Sequence, residues 1–219
     1  MKAIIFDLDG TLVDSAPDIH AAANFLLKCE GKEKLDLETV VSFVGNGLPM
    51  LTKRVMRARG LDLSDFDLCN VILAVYYGNH AADLTQAYSG VMNALSVLKQ
   101  QEYSLGICTN KQEEPARSIV SDIGLGSFFD VIIGGDTTSV KKPNPEPLEV
   151  AVKQLGATKA LYVGDSEVDA QTALNAGVTF ALYSEGYRKT PIEDMPHDFV
   201  FSDFAKLANL VASWAENKP

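Results

Sequence analysis

The sequence predicts an α/β protein, a doubly wound Rossmann-like parallel sheet with a four-helix cap inserted after the first strand. Three observations carry that reading. Short apolar runs of strand length alternate with amphipathic helix-period segments from about residue 91 onward. The N-terminal run Lys2 to Leu8 is a strand-like apolar segment that ends in acidic residues. Between Ser15 and about Asp83 the strand-like runs stop, and only helix-period segments with polar breaks remain.

The elements follow in order. In the insert, a helix is expected over Pro17–Cys29, with Pro17 suited to a first helical turn and Gly31 just past its end. A second runs from Asp36, a candidate cap, to Val44 and stops at Gly45-Asn46-Gly47. A third spans Leu48–Arg59 and halts at Gly60, and a fourth spans Ser64 to about Ala82. Beyond the insert, helices are expected over Val91–Gln101, Glu114–Ile123, Pro145–Leu155, Glu167–Ala176 and Phe204–Trp214. They alternate with strands over Tyr103–Thr109, Phe129–Ile133, Ala160–Gly164, Val178–Leu182 and Phe199–Phe201. Several helices close on glycine, at Gly124, Gly156 and Gly177. The predicted division is a core of residues 1–14 and 84–219 with a helical cap of residues 15–83. No internal repeat or low-complexity segment interrupts it.

Composition narrows the function. The chain has 219 residues, 47% of them hydrophobic and 22% charged, enough for one core plus a small accessory unit. A formal charge of −10 without a basic stripe argues against nucleic acid as a partner. The apolar runs are far short of a membrane span, and the N-terminus lacks the longer apolar stretch and cleavage site of a secretory signal. Cys29, Cys69 and Cys108 are odd in number and form no Cys-x-x-Cys pair, so neither a disulfide framework nor a structural zinc site is expected. Cys108 reads as a buried small hydrophobe. A reducing cytoplasm is the expected compartment, and the protein is expected as a monomer or homodimer.

In doubly wound sheets, ligands bind beyond the carboxyl ends of the strands, where the strand order reverses. Polar residues do cluster after strand ends: Asp7 and Asp9, then Thr109-Asn110, then Lys141-Lys142-Pro143, then Asp165 and Asp169. Several carboxylates at one edge repel unless a hard cation sits among them, and magnesium suits such oxygens. A carboxylate can also act as a nucleophile through an aspartyl-phosphate. In that scheme Asp7 attacks phosphorus, Thr109 and Lys142 hold the charged oxygens, and Asp9 moves the proton. Gly10 allows a tight turn close to a ligand, and Thr11 and Asn110 complete the candidate phosphate contacts. Lys142 is preferred to Lys141 because it directly precedes Pro143, which biases it to an extended conformation.

These motifs resemble those of the haloacid dehalogenase superfamily of phosphatases. Asp7-Leu8-Asp9-Gly10-Thr11 is similar to its first motif and Leu105-Gly106-Ile107-Cys108-Thr109 to its second. Lys142 matches the third, and Gly164-Asp165-Ser166-Glu167-Val168-Asp169 the fourth. Finer runs resemble the phosphoglycolate phosphatase branch: Thr11 to Ile19, Val44-Gly45-Asn46-Gly47, Gly134-Gly135-Asp136 and Lys142 to Leu148. The resemblance implies magnesium held by Asp7, the backbone carbonyl of Asp9 and Asp165, with Asp169 close by. It also implies a central first strand beside the strand that delivers Asp165, and a mobile helical cap. One departure is Val168, where many relatives carry asparagine.

The expected activity is magnesium-dependent hydrolysis of a small-molecule phosphomonoester, with 2-phosphoglycolate the leading candidate. Discrimination is expected from the cap, with Asn46 and Arg54 as substrate-binding candidates. Arg54 is preferred over Lys53 and Arg57 because a guanidinium binds a carboxylate in bidentate fashion. His20, His80 and His197 lack metal-ligand spacing, and Tyr183 to Arg188 is expected to form a loop near the site mouth. A phosphosugar mutase or phosphonate hydrolase would share the core chemistry. A phospho-accepting receiver-like signalling domain would share the acidic residues, the threonine and the lysine, but it lacks the large insert.

Overall fold

The computed structural model describes residues 1–216. The sheet has six parallel strands: β1 (Lys2–Phe6), β4 (Ser104–Cys108), β5 (Val131–Ile133), β6 (Lys159–Gly164), β7 (Thr179–Tyr183) and β8 (Phe199–Phe201), in the order β5-β4-β1-β6-β7-β8. Two strands outside it, β2 (Val13–Asp14) and β3 (Gln86–Ala87), pair antiparallel. The helices are α1 (Ala16–Cys29), α2 (Leu37–Val41), α3 (Leu48–Ala58), α4 (Phe66–His80), α5 (Val91–Gln100), α6 (Glu113–Asp122), α7 (Glu146–Gln154), α8 (Glu167–Ala176) and α9 (Leu207–Glu216). The expected elements are all present, with ends shifted by a few residues. Helix α2 keeps only five of its nine expected residues because Phe43 and Val44 continue as turns, and α9 starts three residues late because Phe204–Lys206 form a 3-10 turn.

The sheet is buried on both faces, as parallel sheets are. Side chains alternate along β1, so Ile4 and Phe6 enter one core with Leu105, Ile107, Leu161 and Val163. That core is closed by Leu95 and Leu98 of α5 and by Val211 and Trp214 of α9. Ala3 and Ile5 enter the opposite core with Tyr162 and Phe180, beneath Leu148 of α7 and Ala173 of α8. Helices α1 to α4 bury a third cluster, built from Ala22, Leu26, Val55, Met56, Leu73 and Tyr77 and joined by Ile119 of α6.

The β2–β3 pair, with Val13 opposite Ala87 and Asp14 opposite Gln86, was not expected. At two residues per strand it has no period to detect. It clasps the two ends of the four-helix segment. Asp18 of α1 strengthens the clasp by accepting from the N–H groups of Leu84 and Thr85 and from the Thr85 hydroxyl.

The strand order sets the site. From β1 the chain moves outward through β4 and β5, then returns to the other side of β1 for β6, β7 and β8. The reversal leaves β1 flanked by β4 and β6, with Phe6 opposite both Ile107 and Val163. The residues that follow these three strands therefore converge beyond one edge of the sheet.

Candidate active site

Asp7 directly follows β1, and its N–H still donates to Val163 O at 2.8 Å, so its position is fixed by the sheet. The chain then turns sharply: the N–H groups of Leu12 and Val13 both donate to Leu8 O, and that of Gly10 donates to Val13 O. Gly10 has φ +85°, and a Cβ there would lie 2.5 Å from Asp165 Oδ2. Only glycine permits both the left-handed backbone and that approach. Thr11 Oγ1 donates to Asp165 Oδ1 at 2.6 Å, so the first and fourth motifs are joined directly. The Asp9 carboxylate points elsewhere, accepting from Ser15 Oγ at 2.5 Å and from Lys111 Nζ at 2.9 Å.

Asp7, Asp165 and Asp169 are buried, and each offers a carboxylate oxygen within 4.8 Å of the others. The one ammonium group that the described ion pairs set among them belongs to Lys142. Its Nζ is 2.7 Å from Asp169 Oδ1, 3.0 Å from Asp7 Oδ1 and 2.8 Å from the Tyr162 hydroxyl. Asp169 is fully engaged, because its Oδ2 also accepts from Ser166 N and Ser166 Oγ in a capping box at the start of α8. The Asp7 carboxylate differs. Lys142 pairs with its Oδ1 by charge but off the hydrogen-bond direction, leaving a buried oxygen with no hydrogen-bond partner among the described residues.

The electrostatics follow from crowding. Burial, then Asp169, push the Asp7 carboxyl up to about 7 against the pull of Lys142. Burial and the neighbouring carboxylates Asp169 and Asp7 push Asp165 well above the usual range. Asp169 is also opposed by burial, but Lys142 and the hydrogen bonds from Ser166 and Tyr162 hold it below its ordinary value. An all-oxygen cluster with an unsatisfied buried acceptor and excess negative charge fits a hard divalent cation such as magnesium.

Lys142 is aimed by its main chain. Asn110 Oδ1 accepts from Lys142 N at 3.0 Å, and Asn110 Nδ2 donates to Lys142 O at 3.1 Å and to Gly45 O at 3.0 Å. The Asn110 amide therefore clamps the lysine backbone and the 43–47 loop, in addition to lining the cleft. Thr109 follows β4, its N–H donating to Ile133 O and its Oγ1 accepting from Lys111 N at 3.3 Å.

A cleft opens over these groups. Asp7, Asp9, Thr109, Asn110 and Lys111 line its floor, and Val44, Gly45, Leu48, Leu51 and Tyr77 form its opposite wall. Four substrate-binding candidates are not on that lining: Gly10 and Thr11, which turn against Asp165, and Asn46 and Arg54. Arg54 donates to Phe43 O at 2.6 Å and to Asn46 Oδ1 at 2.7 Å, so both side chains brace the 43–47 loop. The guanidinium is spent on the Phe43 carbonyl, which the bend between two helices leaves unpaired, and on the Asn46 side chain. Lys53 lies over the Phe66 ring at 4.8 Å.

Four contributors were not legible beforehand. Lys111 follows Thr109-Asn110 directly, and following the chain one residue past that strand end would have found it. Tyr162 sits inside β6 and looks like core, yet its hydroxyl reaches Asp169 Oδ1 at 2.8 Å and Cys108 O at 3.0 Å. Gly186 and Tyr187 lie in the loop after β7. A Cβ on Gly186 would sit 2.3 Å from Asp165 Cβ, and Tyr187 N donates to Asp165 Oδ2 at 2.6 Å. The Tyr187 hydroxyl donates to Asp14 Oδ1 and accepts from the N–H groups of Ser15 and Ala16, tying Asp165 to the start of α1. The histidines are remote: His20 bonds Leu35 O and Asn24, His80 pairs with Asp83, and His197 bonds Met195 O.

A six-stranded parallel sheet with a lysine among three buried aspartates beyond its central strand, under a helical wall, defines a Rossmann-like hydrolase. The haloacid dehalogenase-like hydrolase family matches residues 4–183, and the chain belongs to that family. It is 42% identical over 214 residues to the phosphoglycolate phosphatase of Rhodobacter capsulatus, covering 97% of each chain. It is 44% identical over 214 residues to that of Cereibacter sphaeroides, covering 96% of this chain and 98% of the relative. Among solved structures, a predicted phosphoglycolate phosphatase from Haemophilus somnus 129pt matches with a TM-score of 0.92 at 30% identity, over 96% of this chain and 98% of that one. No helix among the described residues is long and apolar enough to cross a membrane.

Proposed function

We propose that this chain is a magnesium-dependent phosphomonoester hydrolase that works through an aspartyl-phosphate on Asp7, with 2-phosphoglycolate as its substrate. The observation that carries the reading is the state of Asp7. It lies on the cleft floor, fixed by the sheet and ion-paired with Lys142, yet its buried Oδ1 has no hydrogen-bond partner among the described residues. A carboxylate that lines the cleft with one oxygen unpaired is available to attack phosphorus in line once a cation offsets its neighbouring carboxylates. Asp7, Asp165 and the main-chain carbonyl of Asp9 would hold magnesium, which supplies positive charge against the phosphoryl oxygens when bound.

Lys142 and Thr109 stabilise the remaining oxygens of the transferring group. Asp9 protonates the leaving oxygen and then takes a proton from the water that cleaves the acyl phosphate. Asp169 serves as the anchor of Lys142, since both of its oxygens are already occupied. Residues 15–83 act as a cap over the cleft, moving about the β2–β3 clasp. The substrate assignment rests on the names of relatives that align over nearly the whole chain.

The test is steady-state release of phosphate from 2-phosphoglycolate and from a panel of sugar phosphates at equal concentration with magnesium. The expected result is multiple turnover with the highest kcat/KM for 2-phosphoglycolate, abolished in Asp7→Asn. A single stoichiometric burst would instead indicate a phospho-accepting domain. Equal kcat/KM across the panel would remove the substrate while leaving the phosphatase.

A further inference from the structure

A cleft that takes a phosphorylated carboxylic acid needs a second positive centre beyond the one that meets the phosphate. We propose that Lys111 is that centre and binds the carboxylate of the leaving group, an inference that rests on the substrate reading above. Lys111 is the only lysine or arginine lining the cleft among the described residues. Lys142, the other cationic group of the site, is committed to Asp169 and Asp7.

Lys111 is also on the correct side of the site. Its ammonium is 2.9 Å from Asp9 Oδ1, the group assigned to protonate the leaving oxygen. In a glycolate ester the carboxylate is joined to that oxygen through a single methylene, so a cation touching the acid also reaches the carboxylate. The lysine side chain is only 7% exposed, which makes a charge pair formed there less screened than one at the surface. An ammonium has three donors. Two are used, on Asp9 and on the Tyr77 hydroxyl at 2.7 Å. The third has no partner among the described residues and is free for a ligand oxygen.

Tyr77 acts through Lys111 as a positioning residue. It comes from α4 in the helical wall, and its ring lies under the ammonium at 4.7 Å from the centroid. The reader of the carboxylate is therefore held between sheet and helices. Arg54 has no comparable access, because its guanidinium donors go to Phe43 O and Asn46.

The experiment compares 2-phosphoglycolate with 2-hydroxyethyl phosphate, which keeps the phosphate and chain length but replaces the carboxylate with a hydroxymethyl group. The readout is the ratio of their kcat/KM values in the wild type, Lys111→Met, Lys111→Arg and Arg54→Met. Lys111→Met is expected to lower the ratio by roughly 10- to 150-fold, chiefly through KM for 2-phosphoglycolate, the span of one charge-assisted hydrogen bond. Lys111→Arg recovers part of it, and Arg54→Met leaves it within about threefold. Circular dichroism and binding of inorganic phosphate with magnesium verify that each variant is folded and retains its phosphate site. A wild-type preference for 2-phosphoglycolate that persists in Lys111→Met overturns this inference alone, as does its loss in Arg54→Met. A wild-type ratio near one overturns the substrate reading and this inference together.

Discussion

Taking the metal-free protein from about pH 5 to about pH 8 should weaken its fold, and magnesium should abolish the effect. The cause is the crowding of Asp7, Asp165 and Asp169 within 4.8 Å of one another. Asp7 is raised from 3.8 to about 7, chiefly by burial and then by Asp169. A carboxyl raised on folding binds more protons in the native state than in the unfolded one. Its contribution is therefore present below about pH 4 and is lost as pH rises toward about pH 7. Asp165 is shifted in the same direction. Asp169 is lowered, so its contribution is lost only as pH falls below the ordinary carboxylate range, outside this window. Lys142 is raised, with burial opposing and Asp169 and Asp7 outweighing it, so its contribution is constant until strongly alkaline pH.

The part of that titration between about pH 5 and about pH 7, at about 1.4 kcal/mol per pH unit, corresponds to about 3 kcal/mol. For a chain of this length that is roughly 6–12 °C in Tm. The assay is urea unfolding and thermal melting at a series of pH values, in chelator and in saturating magnesium. The expected result is a downward slope in chelator, a flat profile in magnesium, and a reduced slope for Asp7→Asn in chelator. A flat or rising profile in chelator would refute the reasoning, and so would an unchanged slope in Asp7→Asn.

Other expectations follow from single contacts. Tyr162→Phe removes the hydroxyl that meets Lys142, Asp169 and Cys108 O, and should cost about 1–3 kcal/mol in urea unfolding while lowering kcat more than raising KM. Gly186→Ala forces a methyl group against Asp165 and Gly10 O, and should weaken magnesium binding about tenfold or more in a calorimetric titration. Lys142→Ala should lower kcat by about 10²- to 10³-fold, whereas Lys141→Ala, whose ammonium lies by Gly47 outside the carboxylate cluster, should change it less than about threefold.

The residues at strand ends were legible because local physics specifies them. An apolar run that stops at Asp7 is the end of a buried strand, and the alternation of strands and helices brings such ends to one edge. By itself the sequence determined the parallel sheet, the four-helix insert, and the convergence of Asp7, Thr109, Lys142 and Asp165. Only the tertiary structure decided what each polar side chain does there. It made Asn110 a clamp on Lys142, turned Arg54 onto the 43–47 loop, gave Tyr162 a polar task inside β6, and set Lys111 between Asp9 and Tyr77. The physical reason is that backbone pattern depends on neighbours along the chain, while a side chain's hydrogen bonds depend on groups more than a hundred residues away, as Lys111 and Asp9 are.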